Sequence, residues 1–302
     1  MNYKKVFLLL LVFALLIACA KKENKHQKIN LVDENAQLEL LADGFAFTEG
    51  PVADKKGNVY FSDIPNSRIH KWTIEGDLST FRENSGRANG LDFDKAGNLI
   101  ACEGGNRRLT SMDVGGNLTV LADQFESKKL NSPNDLWIDP KGGIYFTDPR
   151  YGNRDDMELD GEFVFYLTPD KEQLIKVIEN MVRPNGIIGA PDGKQLFVAD
   201  RGADSNWTYK INEDGTLTDK KFFCAEGSDG MTIDINGNIY ITSPRREPYF
   251  MVSIFDKDRN KVGDIQVPEM PTNVCFWGKE KNKLFITTRK TIHSIKMNVT
   301  GF

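Results

Sequence analysis

Apolar and polar residues alternate in short bursts along this chain, and the bursts recur on a longer beat. Six stretches each run apolar strand, polar turn, apolar strand, then Ser, Thr, Asp or Glu. They read VADKKGNVYFSD from Val52, LDFDKAGNLIACE from Leu91, LWIDPKGGIYFTDP from Leu136, IIGAPDGKQLFVAD from Ile187, MTIDINGNIYITSP from Met231 and CFWGKEKNKLFITT from Cys275. The turn positions are Gly57, Gly97, Gly142, Gly193, Gly237 and Lys281, spaced by 40, 45, 51, 44 and 44 residues. Asp-x-x-Gly-Asn turns supply a glycine where φ must be positive, which is hairpin chemistry. A third strand such as SRIHKWTI follows each hairpin. A fourth apolar segment precedes the next unit, at Leu78, Leu118, Leu174, Lys221 and Asp264. Four strands in 40–45 residues make a propeller blade. The pattern therefore predicts an all-β fold, a six-bladed β-propeller over 36–302 with very little helix. The last unit lacks its own fourth strand, but LELLADGF from Leu38 resembles LTVLADQF from Leu118. The N-terminal strand is expected to close the last blade and remove the free edge.

A second regularity rides on the first. Eight residues before each turn position stand Glu49, Asn89, Asn134, Asn185, Asp229 and Asn273. All six carry a carboxylate or an amide, at the start of the innermost strand. In a propeller those six points ring the mouth of the central channel. A ring of oxygen donors without His or Cys suits a hard divalent cation such as calcium or magnesium. Glu49 and Asp229 would balance its charge. Asn89 and Asn273 equally suit turn hydrogen bonds before a strand.

Composition adds limits. The chain has 302 residues, 40% of them hydrophobic, with a net charge of −4 and no basic face for nucleic acid. The first 18 residues read as a targeting signal: Lys4 and Lys5, then an apolar run from Val6 to Ala18 too short to span a bilayer comfortably. The run ends in Leu-Ile-Ala-Cys, which looks like a bacterial lipobox with Cys19 as the lipidated residue; an ordinary secretory signal is the alternative. Residues 19–35 are polar and expected to be a flexible tether. This implies export and membrane anchoring by the N-terminal lipid only, on the periplasmic side or at the cell surface. Cys102, Cys224 and Cys275 lack the spacing of a disulfide framework or a zinc motif and read as small buried hydrophobes. His26 lies in the tether, and His70 and His293 lie on third strands, away from the channel. No Gly-x-Ser-x-Gly elbow is present.

At the ring residues the sequence resembles the senescence marker protein/gluconolactonase family of six-bladed propellers. The motifs are TEGP around Glu49, LNSPND around Asn134, RPNGI around Asn185, GSDGM around Asp229, and TDPRYG from Thr147. The resemblance implies metal ligands Glu49, Asn185 and Asp229, with Asn134 a further ligand or a substrate contact. It also implies Asp229 as general base or nucleophile. The cofactor implied is one divalent ion, calcium first, with magnesium, manganese or zinc as alternatives. The activity implied is lactonase action on sugar lactones, a small-molecule substrate. A phosphotriesterase or aryl-esterase using the same site is an alternative, and so is a non-enzymatic binding propeller of the NHL type. An arginine that contacts substrate elsewhere in the family, two residues before the third-blade Asn, is absent here, where Ser132 stands.

The loop joining second and third strands is long in the third blade, from Asp148 to Gly161, and is expected to wall the channel mouth. It offers Arg150 and Tyr151; later blades offer Arg201, Arg245, Arg246 and Tyr249. With Asn134 and Asn89, the residues Arg150, Tyr151 and Arg201 are the candidate substrate contacts. These arginines suit an anionic or sugar-acid substrate, or are loop charges partnered by acids such as Asp155, Asp156 and Glu247.

Overall fold

A computed structural model describes residues 30–243 and 250–302. The signal, Cys19, His26, and loop residues Arg245, Arg246, Glu247 and Tyr249 lie outside the described residues.

The predicted repeat is the observed one. Six antiparallel four-stranded sheets follow each other, and in five of them the strands are consecutive in sequence. Blade 1 comprises Thr48–Ala53, Val59–Asp63, Arg68–Trp72 and Leu78–Arg82. Blade 6 is built from Pro271–Trp277, Lys283–Thr288 and Thr291–Lys296, and its outer strand is Glu39–Asp43 from the chain's beginning. Glu39 pairs with Ser294 and Asp43 with Thr291. This is the expected closure. Helix is confined, among the described residues, to one turn at Arg201–Ala203.

Turn chemistry explains the hairpins. Gly57 has φ +88, its N–H donates to the Asp54 carbonyl at 2.9 Å, and Asn58 Nδ2 donates to Asp54 Oδ2 at 2.9 Å. Asp94–Asn98 and Asp234–Asn238 repeat the arrangement. Lys281 takes the left-handed position in blade 6, at φ +48.

Second strands such as Val59–Asp63 and Ile144–Asp148 are buried along their whole length, while an outer strand such as Leu78–Arg82 is mostly exposed. The apolar core is accordingly divided into six clusters, one at each seam between neighbouring blades. Cys102, Cys224 and Cys275 are free and buried in these seams, as expected.

One boundary is corrected. Residues 30–35, expected in the flexible tether, pack on blade 6. Leu31 is 3% exposed within the blade 5–6 seam, Val32 bridges Met297, and Asp33 pairs with Lys296 at 3.1 Å. The sequence pattern hid this because a single buried Leu has no period to reveal it.

Candidate active site

The ring residues are held by two devices at the ends of second strands. Hydroxyls clamp neighbouring blades: Ser62 Oγ donates to the Asn89 carbonyl at 2.7 Å, and Thr147 Oγ1 to the Asn185 carbonyl at 2.8 Å. Carboxylates cap the loop that enters the same blade's inner strand. Asp148 accepts from the Asn131 and Ser132 amides at 2.8 and 2.7 Å, and Asp200 from the Val182 and Arg183 amides at 3.0 and 2.9 Å. Asp63 caps Phe47 in the same way, at 3.0 Å. The Asp that closes the sequence repeat in blades 1, 3 and 4 thus positions the residues two or three before the ring. Burial pushes Asp148 up to about 7 despite its two amide donors.

Five of the six ring residues, Glu49, Asn89, Asn134, Asn185 and Asp229, line one cavity of about 430 Å3 at the channel mouth. That volume suits a small organic molecule. Glu49, Asn185 and Asp229 are 4%, 3% and 4% exposed. Asn134 and Asp229 precede their strands, because the inner strands of blades 3 and 5 are only Leu136–Ile138 and Met231–Ile233. Asn273 lies behind the cavity wall and donates from Nδ2 to Glu49 Oε2 at 3.1 Å. Its Oδ1 accepts from the Val274 amide at 2.8 Å, the kind of turn hydrogen bond that suits an Asn before a strand.

The electrostatics of this floor are unusual. Burial, then the charge of Asp229, pushes the Glu49 carboxyl well above its ordinary range. Burial also raises Asp229, opposed by the Arg201 guanidinium, 3.7 Å from Asp229 Oδ2, and by the Asn185 amide. Two buried carboxyls facing one space with a single guanidinium nearby leave negative charge uncompensated. The donors around that space are carboxylate and amide oxygens, and among the described residues no His or Cys lines the cavity. This donor chemistry fits a hard divalent cation and does not fit a thiolate or imidazole site. The Asn185 amide now turns Nδ2 to the Tyr151 hydroxyl at 2.6 Å; half a revolution presents its oxygen instead.

The long third-blade loop does wall the cavity, through Arg150, Tyr151, Asn153 and Asp156. Tyr151 stacks under Arg183 at 5.0 Å, and its phenol is pushed up to about 12 by burial first and by Asp229 second. Arg201 reaches both Asp229 and Tyr151. Arg150 lines the cavity as well, and its guanidinium donates to the Asn153 and Asn131 carbonyls at 2.8 and 2.9 Å and pairs with Asp156, which ties the long loop to itself and to the segment before the inner strand.

Several residues escaped the sequence reading. Asp135, one position past the ring, is buried and pushed up to about 7 by burial, with the Asn273 amide among its donors. A signal was present. Four blades have glycine there, Gly50, Gly90, Gly186 and Gly230, where a Cβ would overlap the next blade. Asp135 breaks that glycine series. Arg87, Arg107, Phe47 and Ile64 also line the cavity and belong to no shared motif.

Comparison with known proteins agrees with this geometry. Residues 47–290 match the family described as the SMP-30/Gluconolactonase/LRE-like region. A gluconolactonase of Zymomonas mobilis is 30% identical over 305 residues, covering 90% of this chain and 84% of its own. A solved structure from a structural genomics programme is 35% identical, with a TM-score of 0.82 over 90% of this chain and 96% of its own. The structure of the Xanthomonas campestris gluconolactonase XC5397 is 28% identical, with a TM-score of 0.81, covering 89% and 91%. With the repeat, the closure and the ring in place as well, this chain belongs to the SMP-30/gluconolactonase/LRE-like family.

Proposed function

We propose that this protein is a divalent-cation-dependent hydrolase that opens sugar lactones. The observation that carries the reading is the buried pair Glu49 and Asp229 on the floor of a small-molecule cavity, in a chain similar to gluconolactonases. Glu49, Asn134, Asn185 and Asp229 would hold the cation, with calcium the first choice and magnesium, manganese and zinc the ions to compare. When bound, such an ion supplies Lewis-acid polarisation of the lactone carbonyl.

The chain's own groups do the rest. Asp229 takes a proton from the attacking water as its oxygen bonds to the carbonyl carbon. The ring C–O bond then breaks, and the alkoxide receives the proton back. Arg201, beside Asp229, favours its ionised state and fixes its orientation. A neighbouring cation lowers the basicity of Asp229 while the dry site raises it, so burial is what keeps it competent. Tyr151 orients Asn185 and closes one side of the cavity against water.

The test is a hydrolysis screen over sugar lactones, aliphatic lactones, phosphotriesters and aryl esters, with and without chelator. Sugar-lactone turnover that chelator abolishes and calcium restores is expected. Turnover indifferent to chelator, or an Asp229→Asn variant with full turnover, overturns the reading. We also propose export and lipidation at Cys19, for which Cys19→Ser should abolish both lipid labelling and membrane fractionation.

A further inference from the structure

Among the described residues the cavity is lined by four arginines, and three are already committed. Arg107 donates to the Leu130 carbonyl at 2.6 Å and to Asp156, Arg150 is bound to the Asn131 and Asn153 carbonyls and to Asp156, and Arg201 faces Asp229. Arg87 has no side-chain hydrogen bond or ion pair among the described residues, although it lines the cavity and is exposed to it. Among the described residues the charged lining is otherwise Glu49, Asp156 and Asp229, so one of the four guanidiniums is left over even before any cation is counted.

Its placement is built by the fold. Arg87 stands two residues before the ring residue of blade 2. In blades 1, 3 and 4 the amide at that position donates to the closing Asp of the second strand. Blade 2 closes with Glu103 instead, and Glu103 is spent on Arg82 and Arg108. The Arg87 amide turns to Ser67 Oγ at 2.8 Å, and both Gly86 and Arg87 are left-handed, at φ +68 and +54. A non-glycine residue there is disfavoured. The Arg87 stem then lies across Gly105, where a Cβ would come within 2.9 Å of Arg87 Cδ. Gly104 and Gly105 both line the cavity without side chains, which leaves the space beside the guanidinium open. In a ring of six, blade 2 stands opposite blade 5, so Arg87 and Asp229 line the same cavity from opposite blades.

We propose that Arg87 reads an oxyanion, a carboxylate or a phosphate, at the end of the substrate remote from the ester bond. The substrate class is therefore an anionic sugar lactone. This rests on the lactone reading above. An unpaired guanidinium opposite the reacting centre binds such a group through a paired, charge-assisted contact that a neutral lactone lacks.

The test compares glucono-1,5-lactone with its 6-phosphate and with a glucaric acid monolactone, in wild type, Arg87→Ala, Arg87→Lys and Gly105→Ala. Wild type is expected to prefer one anionic lactone. Arg87→Ala should cut the anionic-to-neutral ratio of kcat/KM by about 10- to 100-fold, mostly through KM. Arg87→Lys should retain part of the preference, and Gly105→Ala should lose part by displacing the stem. The arm that responds tells carboxylate from phosphate. A ratio equal in wild type and Arg87→Ala overturns the proposal. Calorimetry separates it from the lactonase reading. If no lactone is turned over, tighter binding of 6-phosphogluconate or glucarate than of gluconate, lost in Arg87→Ala, still supports the anion site, and equal binding of all three overturns it.

Discussion

Glu49 is kept buried beside Asp229 at a cost to the fold. Both carboxyls are raised by burial, and Glu49 also by its neighbour's charge. A site that stores such repulsion trades stability for function. Glu49→Gln should therefore lower lactone turnover about 100-fold or more while removing one of two opposed buried charges. In chelator the variant should melt above wild type. In excess calcium the order should reverse, since ligand binding stabilises only the chain that can bind it. A variant that melts lower under both conditions would show that Glu49 is a structural group. Asp148 poses a different problem, because its two oxygens serve two buried amides. Asp148→Asn leaves one amide without an acceptor, at about 1–3 kcal/mol. For a domain of this size that is about 2–4 °C of melting temperature per kcal/mol, readable by calorimetry. At this scale the sequence was legible where position repeats. The ring showed itself through a shared register of six residues. Asp135 and Arg87 did not, because each departs from what its equivalents in other blades do. The closing Asp of blades 1, 3 and 4 was visible as a letter, but its work on loop amides was not, since those bonds span about seventeen residues.

Blades are the natural unit at the next scale. Five were readable by a glycine at the hairpin turn, in Asp-x-x-Gly-Asn form in blades 1, 2 and 5, and the sixth by its register alone, with Lys281 at the turn. Loop conformation was less legible. The length of the third-blade loop announced a wall, yet nothing in DPRYGNRDDMELDG tells which of its charges faces inward. The structure turns Arg150 back onto the loop and sends Tyr151 to Asn185. A residue that orients a ligand side chain affects affinity without touching the ion. Tyr151→Phe should weaken calcium binding about 10-fold, measured by titration calorimetry, with the circular dichroism of wild type. An unchanged affinity would mean that Asn185 is held by its strand alone.

For the whole molecule, the carboxyls near the channel mouth couple stability to pH. Asp135 and Asp148 are pushed up to about 7 by burial, from an ordinary value near 4. The folded state then holds protons that the unfolded state has released. Stability is greatest below about pH 4 as far as these groups decide it, and is lost as pH rises towards 7. In chelator, urea midpoints should fall between pH 5 and pH 7.5, and calcium should reduce the fall by neutralising the floor. A midpoint that rises over that range would refute the assignment. The fold itself was the most legible feature, since six repeats and one orphan strand admit one arrangement. Only the reach of the N-terminal segment was misjudged, at Leu31 and its neighbours.

The closing of blade 6 by Glu39–Asp43 also means that this ring has no privileged starting point. The Asn30 carbonyl accepts from Asn298 Nδ2 at 3.0 Å, so the first and last segments of the described propeller lie side by side. A short linker from Phe302 to Asn30 would make the domain's backbone continuous. It can then be opened elsewhere, for instance between Gly115 and Gly116 in the exposed outer turn of blade 2. Such a permuted chain would build blade 6 from consecutive strands and leave blade 2 to be completed last. As synthesised now, the first strand must wait for a partner some 250 residues downstream, so the order of assembly is written by where the chain is cut.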